Sequence, residues 1–144
     1  MPRLETLPFF CEDLNRNRPA IVQAFIDQVA GSDALVVVTP EYNHSIPAVL
    51  KNAIDWASRP AFNSPLKDKP VTFITQADSP VGGARAQAHL KLVFDSTLSI
   101  LHPAHEMMIT GVSTIFGADG AVADAQVLQR LDRHLKDFLA FIAR

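Results

Sequence analysis

Two short polar stretches interrupt the apolar runs of this chain. "TPEYNHSIP", Thr39 to Pro47, follows directly on "ALVVV", and "DSPVGGAR", Asp78 to Arg85, comes shortly after "VTFIT". Both hold groups that could serve a planar, polar ligand. Tyr42 offers a flat face and a hydroxyl, and Asn43 both a donor and an acceptor. Pro40 sets the chain direction as it leaves the apolar run. Glu41 has three readings: a general base, a hydrogen-bond acceptor, or half of an ion pair. Gly82 and Gly83 let backbone N–H groups approach a planar ligand or an anion closely, with a helix start just after them. Arg85 reads equally as a solvated arginine or a polar clamp, and Ser45 most simply as a helix N-cap.

Other chemistries are excluded by residue placement. The glycines are Gly31, Gly82, Gly83, Gly111, Gly117 and Gly120, so neither GxGxxG nor GxxxxGK[ST] can be written, and GxSxG is absent too. "HPAHE", His102 to Glu106, lacks the HExxH spacing, and Pro103 breaks any helix that would align its ligands, so no metal site is expected. His44 lies inside the first polar stretch, whereas His89 and His134 fall on predicted helices and read as solvated. The lone Cys11 reads as a small hydrophobe. No acid–base pair stands out, and no residue is assigned a catalytic role.

The elements that must position these stretches follow from periodicity. Ile21, Val22, Phe25, Ile26 and Val29 recur at helical spacing and stop at Gly31. Ala34 to Val38 is continuous and apolar, the pattern of a parallel strand buried on both faces. Ile46, Val49, Leu50, Ala53, Ile54 and Ala57 form the inward stripe of a helix that starts near Ser45 and Pro47, with Lys51, Asn52, Asp55 and Ser58 facing away. Val71 to Thr75 reads as a second buried strand. Leu90, Phe94, Leu98 and Leu101 predict a long helix after "DSPVGGAR". "EMMITGVSTIF" holds a third strand, "GADG" the turn after it. Asp124 N-caps a last helix with Leu128, Leu131, Leu135, Phe138, Leu139 and Ile142 on one face. Such alternation means an α/β protein with a parallel sheet. In sheets of this kind ligands bind at the carboxyl edge, where both polar stretches would lie side by side.

Composition narrows the class. The 144 residues fit one domain, 1–144, with residues 1–17 as an irregular arm; 48% are hydrophobic and 19% charged, with a net charge of −2. No basic cluster suggests a nucleic acid partner, and no apolar run reaches the roughly 20 residues of a membrane helix. A single cysteine and no leader at Met1 suit a reducing, cytoplasmic setting.

"VVVTPEYNHSIPAVLKNAIDWASR", with "PLKDKPVTFIT" and "GGARAQAHLKLVF", resembles the NADPH-dependent FMN reductase family, flavodoxin-like enzymes that include quinone, azo-dye and chromate reductases. The likeness runs from about Leu7 to the C-terminus. It implies a flavodoxin-like three-layer sandwich with a parallel sheet of order 2-1-3-4-5, an FMN cofactor, and NADPH or NADH as co-substrate. Pro40, Glu41, Tyr42 and Asn43 would lie along the isoalloxazine ring. Gly82 and Gly83 would present donors near its pyrimidine edge, with Ser79 and Arg85 as further contacts. In the family hydride passes from NAD(P)H to the flavin and on to a small-molecule acceptor such as a quinone, so the cofactor performs the chemistry. The resemblance also implies a homodimer or homotetramer with the site near a subunit interface. The family opens with a strand and a GSxRxxSxN-type loop that holds the FMN phosphate, and no such loop precedes Phe9. An N-terminally truncated sheet of about three strands is therefore expected, with an exposed apolar edge and a weak hold on FMN. The competing reading is a non-catalytic flavodoxin-like module or fragment with weak or no FMN binding.

Overall fold

The computed structural model describes residues 3–144, so Met1 and Pro2 of the N-terminal arm lie outside the described residues. The rest of that arm holds a 3-10 turn at Leu4–Thr6 and a short helix, α1, at Glu12–Arg16. Helix α2 (Ala20–Ala30) closes on Gly31 and leads into strand β1 (Leu35–Pro40). Helix α3 (Ala48–Ala57), strand β2 (Pro70–Ala77) and helix α4 (Ala84–Ser96) follow. Next come two short strands, β3 (Ile100–Leu101) and β4 (Met107–Thr110), then a four-residue helix α5 (Val112–Ile115) and the long helix α6 (Ala125–Ile142).

All strand pairs are parallel. β1 pairs with one side of β2, with Leu35 opposite Val71 and Pro40 opposite Gln76. β3 and β4 share the other side: β3 runs beside Pro70 and Val71, β4 beside Ile74 to Ala77. They are two pieces of one strand position, separated by His102–Glu106, so three positions carry the four strands. Helix α4 is shorter than periodicity predicts. It ends at Ser96, and Leu98, with φ 62°, turns the chain so that Leu101 falls in β3.

Strand alternation sorts the core into two faces. Leu35, Val37, Val71 and Phe73 pack with Val22 and Phe25 of α2, Trp56 of α3, and Leu90 and Phe94 of α4. On the opposite face Ile74, Met107 and Ile109 pack with Ile115 and with Val127 of α6. Val36 and Val38 belong to this second face, being opposite Thr72 and Ile74. Continuous apolarity predicts burial of β1 on both sides, but Val36 is 46% exposed and Val38 61%. The reason is coverage. α6 lies over β4, and no described helix covers β1 on that side. Leu128, Leu135 and Leu139 of α6 are exposed for the same reason.

Two further expectations are corrected by packing. Asn52, placed by helical spacing on the outward face of α3, is 8% exposed. It accepts from the Phe10 N–H at 2.7 Å and donates to the Pro8 carbonyl at 3.0 Å, while Trp56 Nε1 donates to that same carbonyl at 2.8 Å. The N-terminal segment thereby covers α3. His134, read as solvated, is buried: its Nε2 lies 2.7 Å from the Thr72 hydroxyl, which also meets His102 Nδ1 at 3.1 Å.

Candidate functional site

The first polar stretch leaves β1 as a continuation of the ladder, its Glu41 N–H donating to the Gln76 carbonyl at 3.0 Å. It then makes a two-residue hairpin. Tyr42 and Ser45 exchange N–H···O bonds of 2.9 Å in both directions, and the central residues Asn43 and His44 have φ of 48° and 64°. Positive φ at both central positions is the type I′ combination, which Asn adopts at low cost. Tyr42 is thrust outward and is 61% exposed. Ser45 does not cap α3, whose N-cap is Pro47. Its hydroxyl lies 2.8 Å from His89 Nδ1 on α4, so His89, though exposed, is tied to this loop.

The second stretch turns on its paired glycines. Gly82 (φ 56°) donates its N–H to the Ser79 carbonyl at 3.1 Å, and Gly83 (φ 86°) stands as the left-handed N-cap of α4. A Cβ on Gly83 would lie 2.8 Å from Thr75 Cβ, and one on Gly82 2.9 Å from Thr110 Cγ2. Both glycines are thus demanded by backbone conformation and by close approach to β2 and β4. Ser79, Pro80 and Val81 form the exposed tip.

Glu41 joins the two loops. Its Oε2 accepts from the Arg85 N–H at 3.0 Å and the Ala86 N–H at 3.2 Å, and its Oε1 lies 3.4 Å from Arg85 Nη1. Burial works to raise its pKa, but the amides of Ala86 and Arg85 and the guanidinium outweigh it and hold the carboxyl below its usual range. Periodicity does not single out Asp78, which makes the next link: its Oδ1 accepts from the Ser113 N–H at 2.7 Å, fixing the loop after β2 to α5. That bond, with the Ser113 side chain, lowers the Asp78 pKa. The only advance sign of Asp78 was its place at a strand end.

Pro40, Glu41, Tyr42, Asn43, Ser79, Gly82, Gly83 and Arg85 therefore gather at the carboxyl edge of two adjacent strands. The geometry suits the ring end of a flat heteroaromatic cofactor, with an exposed phenol face and, among the described residues, a Gly83 N–H without a protein acceptor. It offers less to a phosphate. In the first turn of α4 the Arg85 and Ala86 amides are taken by Glu41 and the Ala84 amide by the Val81 carbonyl, and in α5 the Ser113 amide is taken by Asp78. Among the described residues no three His, Cys, Asp or Glu side chains converge as a metal site would require.

Comparison with known proteins decides the family. The model of the NADPH-dependent FMN reductase family matches residues 1–114. The chain belongs to that family. It is 37% identical over 150 residues to a quinone reductase of Escherichia coli K12, covering 100% of this chain and 78% of that one. A 2-hydroxy-1,4-benzoquinone reductase of a Burkholderia species is 35% identical over 136 residues, 94% of this chain and 74% of the relative. Among solved structures, the flavoenzyme NAD(P)H:(acceptor) oxidoreductase FerB of Paracoccus denitrificans superposes with a TM-score of 0.89 at 33% identity, over 99% of this chain and 78% of that one. The fold of this family member is flavodoxin-like. Membership makes it an oxidoreductase that uses FMN and a nicotinamide nucleotide.

Proposed function

We propose that this flavoenzyme passes reducing equivalents from NAD(P)H through FMN to a quinone-like acceptor, and that the flavin ring lies between the Pro40–Asn43 and Ser79–Arg85 loops. The observation that carries the reading is the Glu41 bridge, which fixes those two loops side by side at the sheet edge. When bound, FMN supplies the hydride chemistry, accepting a pair of electrons from one substrate and donating them to the next. The chain's own residues bind and orient. Tyr42 offers an exposed aromatic face, Asn43 an amide, Gly83 an N–H, and Ser79 a hydroxyl at the tip of the facing loop. The electron transfer itself is the cofactor's chemistry and is assigned to no side chain.

Relatives named for reduction of quinones support the acceptor class. The chain works as one domain, in the cytoplasm, as a homodimer or homotetramer. Support for assembly comes from exposed aromatic and aliphatic side chains, among them Tyr42 at the site and Leu92 further along α4, 61% and 70% exposed. No described helix is long and apolar enough to cross a membrane.

The test is NADPH oxidation by the FMN-supplemented chain with and without 1,4-benzoquinone. Quinone-dependent turnover above that of free FMN is expected, and Tyr42→Ala should weaken FMN binding by about 2- to 10-fold, the value of an aromatic contact. Turnover no greater than with free FMN would favour the non-catalytic module.

A further inference from the structure

Glu41 sits in the motif that resemblance places along the flavin ring, yet both of its carboxylate oxygens are turned into the protein. The side chain is only 7% exposed. Oε2 serves two backbone amides of the first turn of α4, and Oε1 faces the Arg85 guanidinium. First-turn amides have no partner within their own helix, and a negative charge is favoured at that end by the helix dipole. Those demands are met here from a different element, the loop after β1. A second bond crosses the same gap one helical turn later, between Ser45 and His89.

We infer that Glu41 is a positioning residue, which sets the separation of the two loops between which the ring lies and does not itself touch the ring. The inference rests on the flavin site proposed above. It also gives Arg85 a task, since the same carboxylate holds its backbone N–H and its guanidinium, and it leaves Tyr42, Asn43 and Gly83 as the groups that meet the cofactor. Without the carboxylate, two helix amides lose their acceptor and, among the described residues, the Ser45–His89 bond is the hydrogen bond left between the first loop and α4.

Glu41→Gln and Glu41→Ala separate positioning from contact. Amide hydrogen exchange at Arg85 and Ala86 is measured without flavin, and FMN affinity by fluorescence quenching. The Gln variant keeps a carbonyl acceptor, so protection and FMN affinity should both stay within about 3-fold of the unaltered chain. The Ala variant should lose about 10-fold or more in protection at the two amides and about 10-fold in affinity. If Glu41→Gln kept its protection but bound FMN as poorly as Glu41→Ala, the carboxylate would be touching the ring and the inference would fail. Unchanged protection in Glu41→Ala would also overturn it. Exchange needs no flavin, so a chain that bound no FMN would sink the flavin reading separately, while the two amides still reported on the clamp.

Discussion

A methyl group added at Gly83 would enter space that Thr75 already fills, and it would do so on a backbone at φ 86°. Strained conformation and overpacking each cost about 1–3 kcal/mol, so Gly83→Ala should lower the stability of the fold by at least about 1 kcal/mol in chemical denaturation. Unchanged stability would mean that the α4 start can shift away from β2. The residues of the site were readable in advance because their types are conspicuous: an aromatic, an amide and paired glycines, each at the end of an apolar run. Their partners were not. That Glu41 meets Arg85 and Ala86, or Ser45 meets His89, depends on how two strands are paired, and residue types 44 positions apart carry no trace of it. The I′ hairpin at Asn43-His44 is hidden for a related reason. Asn-Gly is the usual signal for that turn, and here His44 takes the glycine's place.

At the scale of elements, periodicity located α2, β2 and the Asp124-capped α6, because each has a regular apolar repeat and α6 a strong cap. Asp124 accepts from the Gln126 and Val127 amides at 2.8 and 3.1 Å. It misjudged His134 on α6, read as solvated but 7% exposed. His134 and His102 share the Thr72 hydroxyl beneath the helix, and burial lowers the pKa of both; for His134 the nearby His102 lowers it further, against a small opposing pull from Asp137. A depressed imidazole pKa means that the unfolded chain takes up protons which the fold resists. Stability should therefore be fully present above the ordinary imidazole value of about 6.5 and decline as pH falls below it. Denaturation midpoints measured from about pH 7.5 down to 5.5 should drop, and His134→Leu should flatten the decline. An equally steep decline in the variant would remove His134 from the account. The helix starts make a second prediction. With the α4 and α5 amides held by Glu41 and Asp78, the phosphate finds little at those ends, so riboflavin should bind within about 10-fold of FMN. A preference for FMN of about 1,000-fold would reveal a phosphate site elsewhere.

Over the whole molecule the two sheet faces are unequal. One is closed by α2, α3 and α4; the other is covered by α6 over β4 and open over β1. Val36, Val38, Leu128, Leu135 and Leu139 all lie exposed as a result, on a strand whose outer edge has no partner among the described residues. The exposed edge was expected from the family resemblance, in which a further strand lies beside β1 and a further helix beside α6, whereas the apolar run of β1 read alone looks the same with or without a covering helix. Surfaces of this kind bind hydrophobic dyes and promote association. The native chain should bind anilinonaphthalene sulfonate, and the combined change Val36→Thr and Val38→Thr should reduce that signal; equal dye binding by both would place the exposed surface elsewhere.

The central claim, that this chain's two loops hold a flavin that takes electrons from NAD(P)H and gives them to a quinone, meets its most direct test in one anaerobic absorbance experiment. FMN is added to the chain, NADPH follows, and 1,4-benzoquinone comes last. Protein-dependent bleaching of the flavin band by NADPH is expected, and its return on adding the quinone. A chain that is folded by circular dichroism but leaves the flavin band bleaching no faster than free FMN would contradict it.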